Sequence, residues 1–206
     1  MNGKTLALAC CVAMAGLSGC ALTTEQVEIG YTQQAGVSKI AGAENVAVNV
    51  QVTDQRLDRS KVSSKKNGYG MEMAPITAAE DVAVTVRRAI EKELQARGFQ
   101  PGSDAARVDI AADITRFYND HKMGFFAGDA VADLNLSVSV KSRNGALLYS
   151  KQIVAQGMEK NTQLASGNNA RIALERALEN GMKTLFDDRA FVSALLVSTD
   201  SKAASK

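Results

Sequence analysis

The chain has 206 residues, a formal net charge of +2, no tryptophan and only 5% aromatic residues. The near-neutral charge argues against a nucleic-acid partner, and the few aromatic side chains argue against a large carbohydrate groove. All three cysteines lie near the N-terminus, at Cys10, Cys11 and Cys20. The chain beyond them therefore has no disulfide, cysteine nucleophile or cysteine ligand for zinc.

The segment 1–20 has the pattern of a bacterial lipoprotein signal peptide. An apolar run over 5–17 follows a short start with one lysine, and about 13 residues are too few to cross a ~30 Å hydrocarbon core. The run ends in Leu-Ser-Gly-Cys, which predicts cleavage between Gly19 and Cys20 and a covalent lipid on Cys20. Residue 21 is Ala21 rather than aspartate. By enterobacterial sorting rules this predicts an outer-membrane anchor with the domain facing the periplasm.

The first half of the remaining chain predicts a tether, a strand and a helix. Residues 20–45 are polar and suggest a tether, with a short strand over 27–29 as an alternative. Alternating valines over 46–53 predict a strand with one buried face. Residues 62–66 favour a second short strand, and Asn-Gly at 67–68 suits a tight hairpin turn.

The predicted first helix covers residues 77–97. Thr77 and Glu80 fit a capping box at its start, and Gly98 suits the left-handed position after its last turn. Residues at helical spacing form a stripe that is apolar except for Glu93. A hydrophobic contact between Phe99 and the last turn is expected to complete the end of the helix.

The second half of the chain predicts a meander followed by two helices. Alternation predicts strands over 108–118, 131–141 and 147–155, with Asn-Gly at 144–145 as a hairpin turn and 119–129 as a long loop. Helices are expected over 168–186 and 189–196, the second capped by Asp187 or Asp188, and 198–206 is expected to be disordered. This order predicts a single α+β domain over 46–197. We expect two layers: a mostly antiparallel sheet with the helices on one face.

Two stretches carry a resemblance to a known family. The segment VNVQVTDQR after an alternating strand, and the helix ending in RAIEKELQARGF, both follow the lipoprotein signal. In this order they resemble the YajG family of uncharacterised bacterial lipoproteins. The resemblance covers roughly residues 24–196 and implies an outer-membrane anchor and a periplasm-facing domain with no assigned reaction.

Sequence motifs for catalysis or metal binding are lacking. His121 is the only histidine, and its predicted loop offers only Asp120 and Asp129 as carboxylate ligands, so we expect no metal site and an exposed imidazole. Phosphate-binding glycine loops and nucleophile elbows are missing. Asp109 and Asp113 fall on the predicted exposed face of one strand. We therefore expect no enzymatic activity and no cofactor other than the lipid on Cys20.

Candidate partner contacts lie in two places. Asp54 and Arg56 follow the first strand, where they either bind a polar group of a partner or form a structural turn and ion pair, which we favour. The predicted loop carries His121, Met123, Phe125 and Phe126, either as an exposed contact or as a plug folded into the core. A second Gly/Met-rich connection, 69–73, is a candidate for the same surface.

These features favour a lipid-anchored binding or assembly module of the cell envelope with a protein partner. The alternative is an accessory lipoprotein of an envelope transport system that binds a lipid or another hydrophobic ligand between sheet and helices. Small residues at Ala111, Ala112 and Ala132 either leave room for such a ligand or let helices pack closely. Pairing of two copies through a sheet edge is left open.

Overall fold

The computed structural model describes residues 22–102, 106–122, 124 and 127–197. Five strands form the main sheet in the order β5-β2-β6-β7-β8, and three strands form a small sheet in the order β1-β4-β3. Three α-helices follow β4 and β8 along the chain. The elements are β1 (Glu25–Val27), β2 (Ala47–Asp54), β3 (Ser63–Lys66), β4 (Glu72–Ala78), α1 (Val82–Ala96), β5 (Gln100–Pro101), β6 (Val108–Lys122), β7 (Gly128–Ser142), β8 (Leu147–Thr162), α2 (Gly167–Phe186) and α3 (Arg189–Leu196).

The predicted meander is present as three long antiparallel strands. β6, β7 and β8 pair in sequence along 15 to 16 residues each, and β2 runs parallel to the first half of β6. The turn between β7 and β8 contains Gly145 at φ 84°, the positive value that suits glycine. The α+β class, with a mostly antiparallel main sheet and helices packed on one face, is confirmed.

A β-bulge divides β6 into two halves with opposite alternation. The register with β7 shifts between Ile114 and Arg116, so one extra residue stands in β6. Even-numbered residues point into the core up to Ile114, whereas Phe117, Asn119 and His121 are buried beyond it. The expected long loop over 119–129 is therefore wrong, because most of it continues the paired strands.

The N-terminal segment packs onto the domain. β1 pairs in parallel with β4, Val27 is buried, and Ile29 and Ile40 pack against the core. The expected tether over 20–45 is wrong from Glu25 onward, because main-chain pairing and apolar contacts fix this stretch. The predicted signal peptide, 1–19, and Cys20 lie outside the described residues, as does the tail 198–206.

The hairpin between β3 and β4 differs from the expected tight turn. Its five-residue loop, 67–71, has positive φ at Gly70, and the Asn67 side chain accepts hydrogen bonds from the main-chain N–H groups of Tyr69 and Met71, both at 3.0 Å. The strand β4 occupies the stretch where the predicted helix began. Thr77 therefore lies in a strand, and the predicted capping box at Thr77 is wrong.

Helix ends follow capping chemistry. Asp81 begins α1 by accepting from the N–H of Ala83 at 2.8 Å, and Asp188 begins α3 by accepting from the N–H of Ala190 at 2.9 Å. At the end of α1, the N–H of Phe99 donates to Leu94 O and that of Gly98 to Gln95 O, both at 3.0 Å. With Gly98 at φ 95°, this is the predicted Schellman-type end.

The core fills the space between the helices and the main sheet. Leu134, Leu136, Leu174 and Leu178 are almost completely buried there. Close approach of α2 to β8 depends on Gly157, because a Cβ atom at this position would collide with main-chain atoms of Ala173, Arg176 and Ala177. The small residues of this interface thus allow close packing of the helix on the sheet.

Candidate functional site

The Asp54–Arg56 pair lies at the end of β2, where it fixes the chain reversal. Arg56 donates to both carboxylate oxygens of Asp54, at 2.8 to 3.1 Å, and the N–H of Arg56 donates to Asp54 at 3.1 Å. Its third guanidinium nitrogen donates to the main-chain oxygens of Lys61 and Phe117 at 3.1 and 3.2 Å. The pair therefore links β2, the segment before β3 and the second half of β6.

The environment of this pair favours a structural role over a contact role. Arg56 is only 7% exposed, and all three guanidinium nitrogens donate to groups of the protein itself. Burial raises the pKa of Asp54, but the hydrogen bonds and charge of Arg56 outweigh burial and hold the pKa below its usual value. An arginine so placed has little capacity left for a partner's polar groups.

His121 is buried, which overturns the expectation of an exposed loop imidazole. It lies near the end of β6 opposite Ala130 of β7 and is 4% exposed. Among the described residues neither ring nitrogen has a hydrogen-bond partner. Desolvation lowers its pKa to about 4, against a smaller opposing effect of the Asp120 carboxylate. His121 is thus unsuited to contact a partner.

Three other candidates, Met123, Phe125 and Phe126, lie outside the described residues. Their place in the chain is nonetheless bounded, because β6 extends to Lys122 and β7 begins at Gly128. The connection between these strands thus covers residues 123–127. The question of exposed contact or core plug stays open for these three side chains.

The second candidate connection, between β3 and β4, is exposed and apolar. Tyr69 is 91% exposed, Met71 59% and Met73 39%. Lys66, just before this loop, pairs with Asp120 near the end of β6, so the β3–β4 hairpin lies beside the β6–β7 hairpin. That both connections share one surface stays a prediction, because Met123, Phe125 and Phe126 lie outside the described residues.

A buried polar cluster joins the N-terminal segment to α1. Glu93 is completely buried and forms an ion pair with Arg97 one turn later. Tyr31 donates its hydroxyl to Glu93 at 2.5 Å, and the N–H of Gln34 donates to the same oxygen at 2.9 Å. The Arg97 guanidinium also stacks 4.4 Å from the ring centre of Phe186.

This cluster explains the one acidic residue in the apolar stripe of the first helix. Burial and the hydrogen bond to Glu93 raise the pKa of Tyr31 well above its usual value, so Tyr31 stays a donor. Next to the cluster lies a cleft of about 480 Å³ lined by Glu28, Arg88 and Lys92 among others. Its lining carries charges of both signs, which does not suit an apolar ligand.

The described residues contain no group of three or more histidine, cysteine, aspartate or glutamate side chains placed to hold a metal ion.

Asp109 and Asp113, on the outer face of β6 as expected, are each across from a β2 residue. Asp109 accepts a hydrogen bond from the Asn49 side chain at 2.9 Å. In the described part of the chain, no helix has both the length and the apolar character needed to span a membrane.

Comparison with known proteins adds a family to this geometry. A family model described as "Uncharacterized lipoprotein" (Lipoprotein_16) matches residues 34–195. The chain belongs to this lipoprotein family. The uncharacterized lipoprotein YajG of Escherichia coli K12 is 22% identical over 180 residues, which cover 86% of this chain and 89% of YajG. The predicted membership in a YajG-like family is therefore confirmed.

Solved structures share the fold of this lipoprotein. Protein XCC0632 of Xanthomonas campestris is 13% identical, with a TM-score of 0.52 over 89% of this chain and all of that one. A second crystal structure, of an uncharacterized protein, has a TM-score of 0.54 at 8% identity and covers 81% of this chain and 99% of its own. At these identities the likeness concerns the fold alone.

Proposed function

We propose that this lipoprotein is a non-catalytic docking module, anchored by a lipid on Cys20 to the outer membrane and facing the periplasm, that binds a protein partner of the cell envelope. Support for the anchor comes from the signal pattern ending at Cys20 and from membership in a lipoprotein family. Support for docking comes from one feature of the fold, the uncovered face of the main sheet.

This face, called the open face below, lies opposite the helices. In the part of the chain that the structure describes, no element packs over it along β6, β7 and β8. Most of its side chains are polar, and exposed Val154 stands among them. They include Asp109, Ala111, Asp113, Ser137, Ser139, Ser150, Gln152 and Val154. Such an extended surface of long paired strands suits a protein partner better than a small substrate, which needs a concave site.

The alternative function, binding of a lipid or another hydrophobic ligand between sheet and helices, has less support. Ala112 and Ala132 face the helices and are fully or almost fully buried, and Ala111 lies on the other, exposed face. The collision expected for a Cβ at Gly157 indicates that α2 lies directly on the sheet. Small residues here accompany close packing rather than a cavity.

Photo-crosslinking in intact cells tests the docking proposal. Photoreactive residues at Ser139 and Gln152 place probes on the open face, and a probe at exposed Lys183 of α2 serves as the control. We expect one discrete protein adduct from both probes on the open face and none from the control. Equal adducts from all three positions, or adducts only with copies of this chain, would argue against docking through this face.

The anchor has a separate test. We expect alkyne-palmitate to label the wild-type protein, and Cys20→Ser to lose the label and to be either soluble or unprocessed. Replacing Ala21 with aspartate should shift the labelled protein from outer to inner membranes in an enterobacterial host. A Cys20→Ser protein that still floats with membranes after processing would contradict the anchor.

A further inference from the structure

Three chain connections gather at one end of the molecule. β1 runs parallel to β4, and β4 runs antiparallel to β3, so the start of β1 and the β3–β4 loop point the same way. The Val62 oxygen accepts from the Asn119 N–H at 2.8 Å, and Lys66 pairs with Asp120. Residues later in β3 thus contact residues later in β6, so the two strands run in roughly the same direction. The end of β6 and the start of β7 therefore lie at this end as well.

The end of β8 completes this surface, which we call the hairpin end. Thr162 of β8 pairs with Gly128 of β7, so the segment after β8 emerges beside the β6–β7 hairpin. Among the described residues nine large apolar side chains are exposed, and five of them belong to the hairpin end. These five are Leu22 (61%), Tyr69 (91%), Met71 (59%), Met73 (39%) and Leu164 (73%).

The N-terminal chain leads from β1 toward the same end. Glu25 pairs with Ile76. In the sequence, Cys20 comes five residues before Glu25, and Met71 comes five residues before Ile76. At ~3.3 Å per residue, both distances are about 17 Å in extended chain. A lipid on Cys20 is thereby able to reach the level of the exposed β3–β4 loop.

We propose that the hairpin end is a membrane-contact surface, with the β3–β4 loop seated in the headgroup region of the leaflet that holds the lipid. The inference rests on the proposed lipidation of Cys20. The anchor keeps this end within reach of the bilayer, and for that reason lipid rather than a protein is the occupant. Tyrosine suits the interface because its ring is apolar and its hydroxyl stays hydrated.

This orientation also leaves the open face available. The strands of the main sheet run away from the hairpin end, and the opposite end carries the β7–β8 turn. With the hairpin end on the membrane, the strands of the main sheet extend away from the bilayer. The open face is then exposed to the periplasm, roughly at right angles to the membrane. Lys122, exposed at the hairpin end, suits anionic headgroups.

Fluorescence quenching by brominated lipids tests this orientation. The chain has no tryptophan, so Tyr69→Trp introduces a single probe at a site that is already exposed and aromatic. Leu147→Trp is the matched control, since Leu147 is 61% exposed and follows the β7–β8 turn. The 15 residues of β7 separate the two ends by about 46 Å. The full lipidated protein is reconstituted into phosphatidylcholine–phosphatidylglycerol vesicles, with or without brominated acyl chains.

We expect brominated lipid to reduce the emission of Tyr69→Trp at least twofold and to leave that of Leu147→Trp unchanged within the error of the measurement. Equal quenching of both probes, or none of either in vesicles that carry the protein, would overturn the orientation while the anchor stands. A blue-shifted Tyr69→Trp emission without quenching would indicate coverage by protein and would also overturn it. Protein that fails to float with the vesicles would refute the anchor itself, and the orientation with it.

Discussion

The buried side chain of His121 should make this protein less stable in mild acid. Burial lowers its pKa from 6.5 to about 4 in the folded protein, whereas the unfolded chain keeps the ordinary value. Between these two values the unfolded state binds a proton that the folded state does not. Stability is therefore expected to fall as the pH drops from about 6.5 toward 4.

The size of this effect follows from the depression of the pKa. One pKa unit corresponds to ~1.4 kcal/mol, so the full shift is worth roughly 3 kcal/mol below pH 4 and about 2 kcal/mol between pH 7 and pH 5. Carboxylates also titrate near the acid end of this range. The comparison that isolates the imidazole is with His121→Gln, which does not ionise. Between pH 7 and pH 5 we expect the wild type to lose about 2 kcal/mol more than the variant.

Two measurements check this prediction. Urea unfolding of non-lipidated protein at both pH values gives the difference in free energy. Because the chain has a single histidine, the proton NMR signal of its imidazole reports the folded-state pKa directly when the purification tag lacks histidine. A folded-state pKa near 6.5, or parallel pH dependence of the wild type and His121→Gln, would refute the reasoning.

Three further predictions concern stability and are read by urea unfolding at pH 7. Glu93→Gln breaks a buried ion pair and should lower the free energy of unfolding by about 3 kcal/mol. Its control is Glu91→Gln on the same helix, where the ion pair is partly exposed and spans 4.0 Å. That variant should lose less than ~0.5 kcal/mol. Gly157→Ala places a methyl group against the main chain of α2 and should lower the free energy of unfolding by at least ~2 kcal/mol. Gly68→Ala is its control, because the added Cβ meets no neighbouring atom within 4 Å, and it should cost less than ~0.5 kcal/mol. Arg56→Lys keeps the charge but loses the forked contacts, and should cost about 2 kcal/mol.

Each of these has an outcome that contradicts it. Equal losses for Glu93→Gln and Glu91→Gln would mean that the buried cluster contributes no more than a surface pair. A neutral Gly157→Ala would show that α2 has room to move away from the sheet. An Arg56→Lys protein as stable as the wild type would indicate that the forked contacts to Asp54 are dispensable.

Strands were predictable where a single alternation holds over many residues. The pattern of β7 repeats without interruption from Ala132 to Val140, and its prediction was confirmed. β6 was cut short because the bulge after Ile114 reverses which residues face the core. In the sequence that reversal looks like the end of a strand, so the expected loop began at residue 119 and His121 was placed in solvent.

Within the small sheet, β3 matches the short strand predicted over 62–66, whereas β4 was taken for the start of a helix and β1 was offered only as an alternative to a tether. β1 and β4 are short and carry no alternation long enough to predict burial, and Pro75 within β4 reads as a strand breaker. Their strand character comes from pairing with each other and from cover by α2, which are contacts between distant parts of the chain. A tether and a capping box were reasonable local interpretations that tertiary contacts overrode.

The polar candidates show what sequence patterns leave undecided. Glu93 stood out as the one acidic residue in an apolar stripe, but its ion pair with Arg97 was not predicted. Its donor Tyr31 is 62 residues away and was not predictable from spacing. For Arg56 the sequence supported two roles, a contact with a partner or a structural ion pair. The hydrogen bonds favour the structural role, because a guanidinium engaged by a carboxylate and two main-chain oxygens has little left to offer a partner. Recognition is thus better sought where polar or apolar groups remain exposed, on the open face and at the hairpin end.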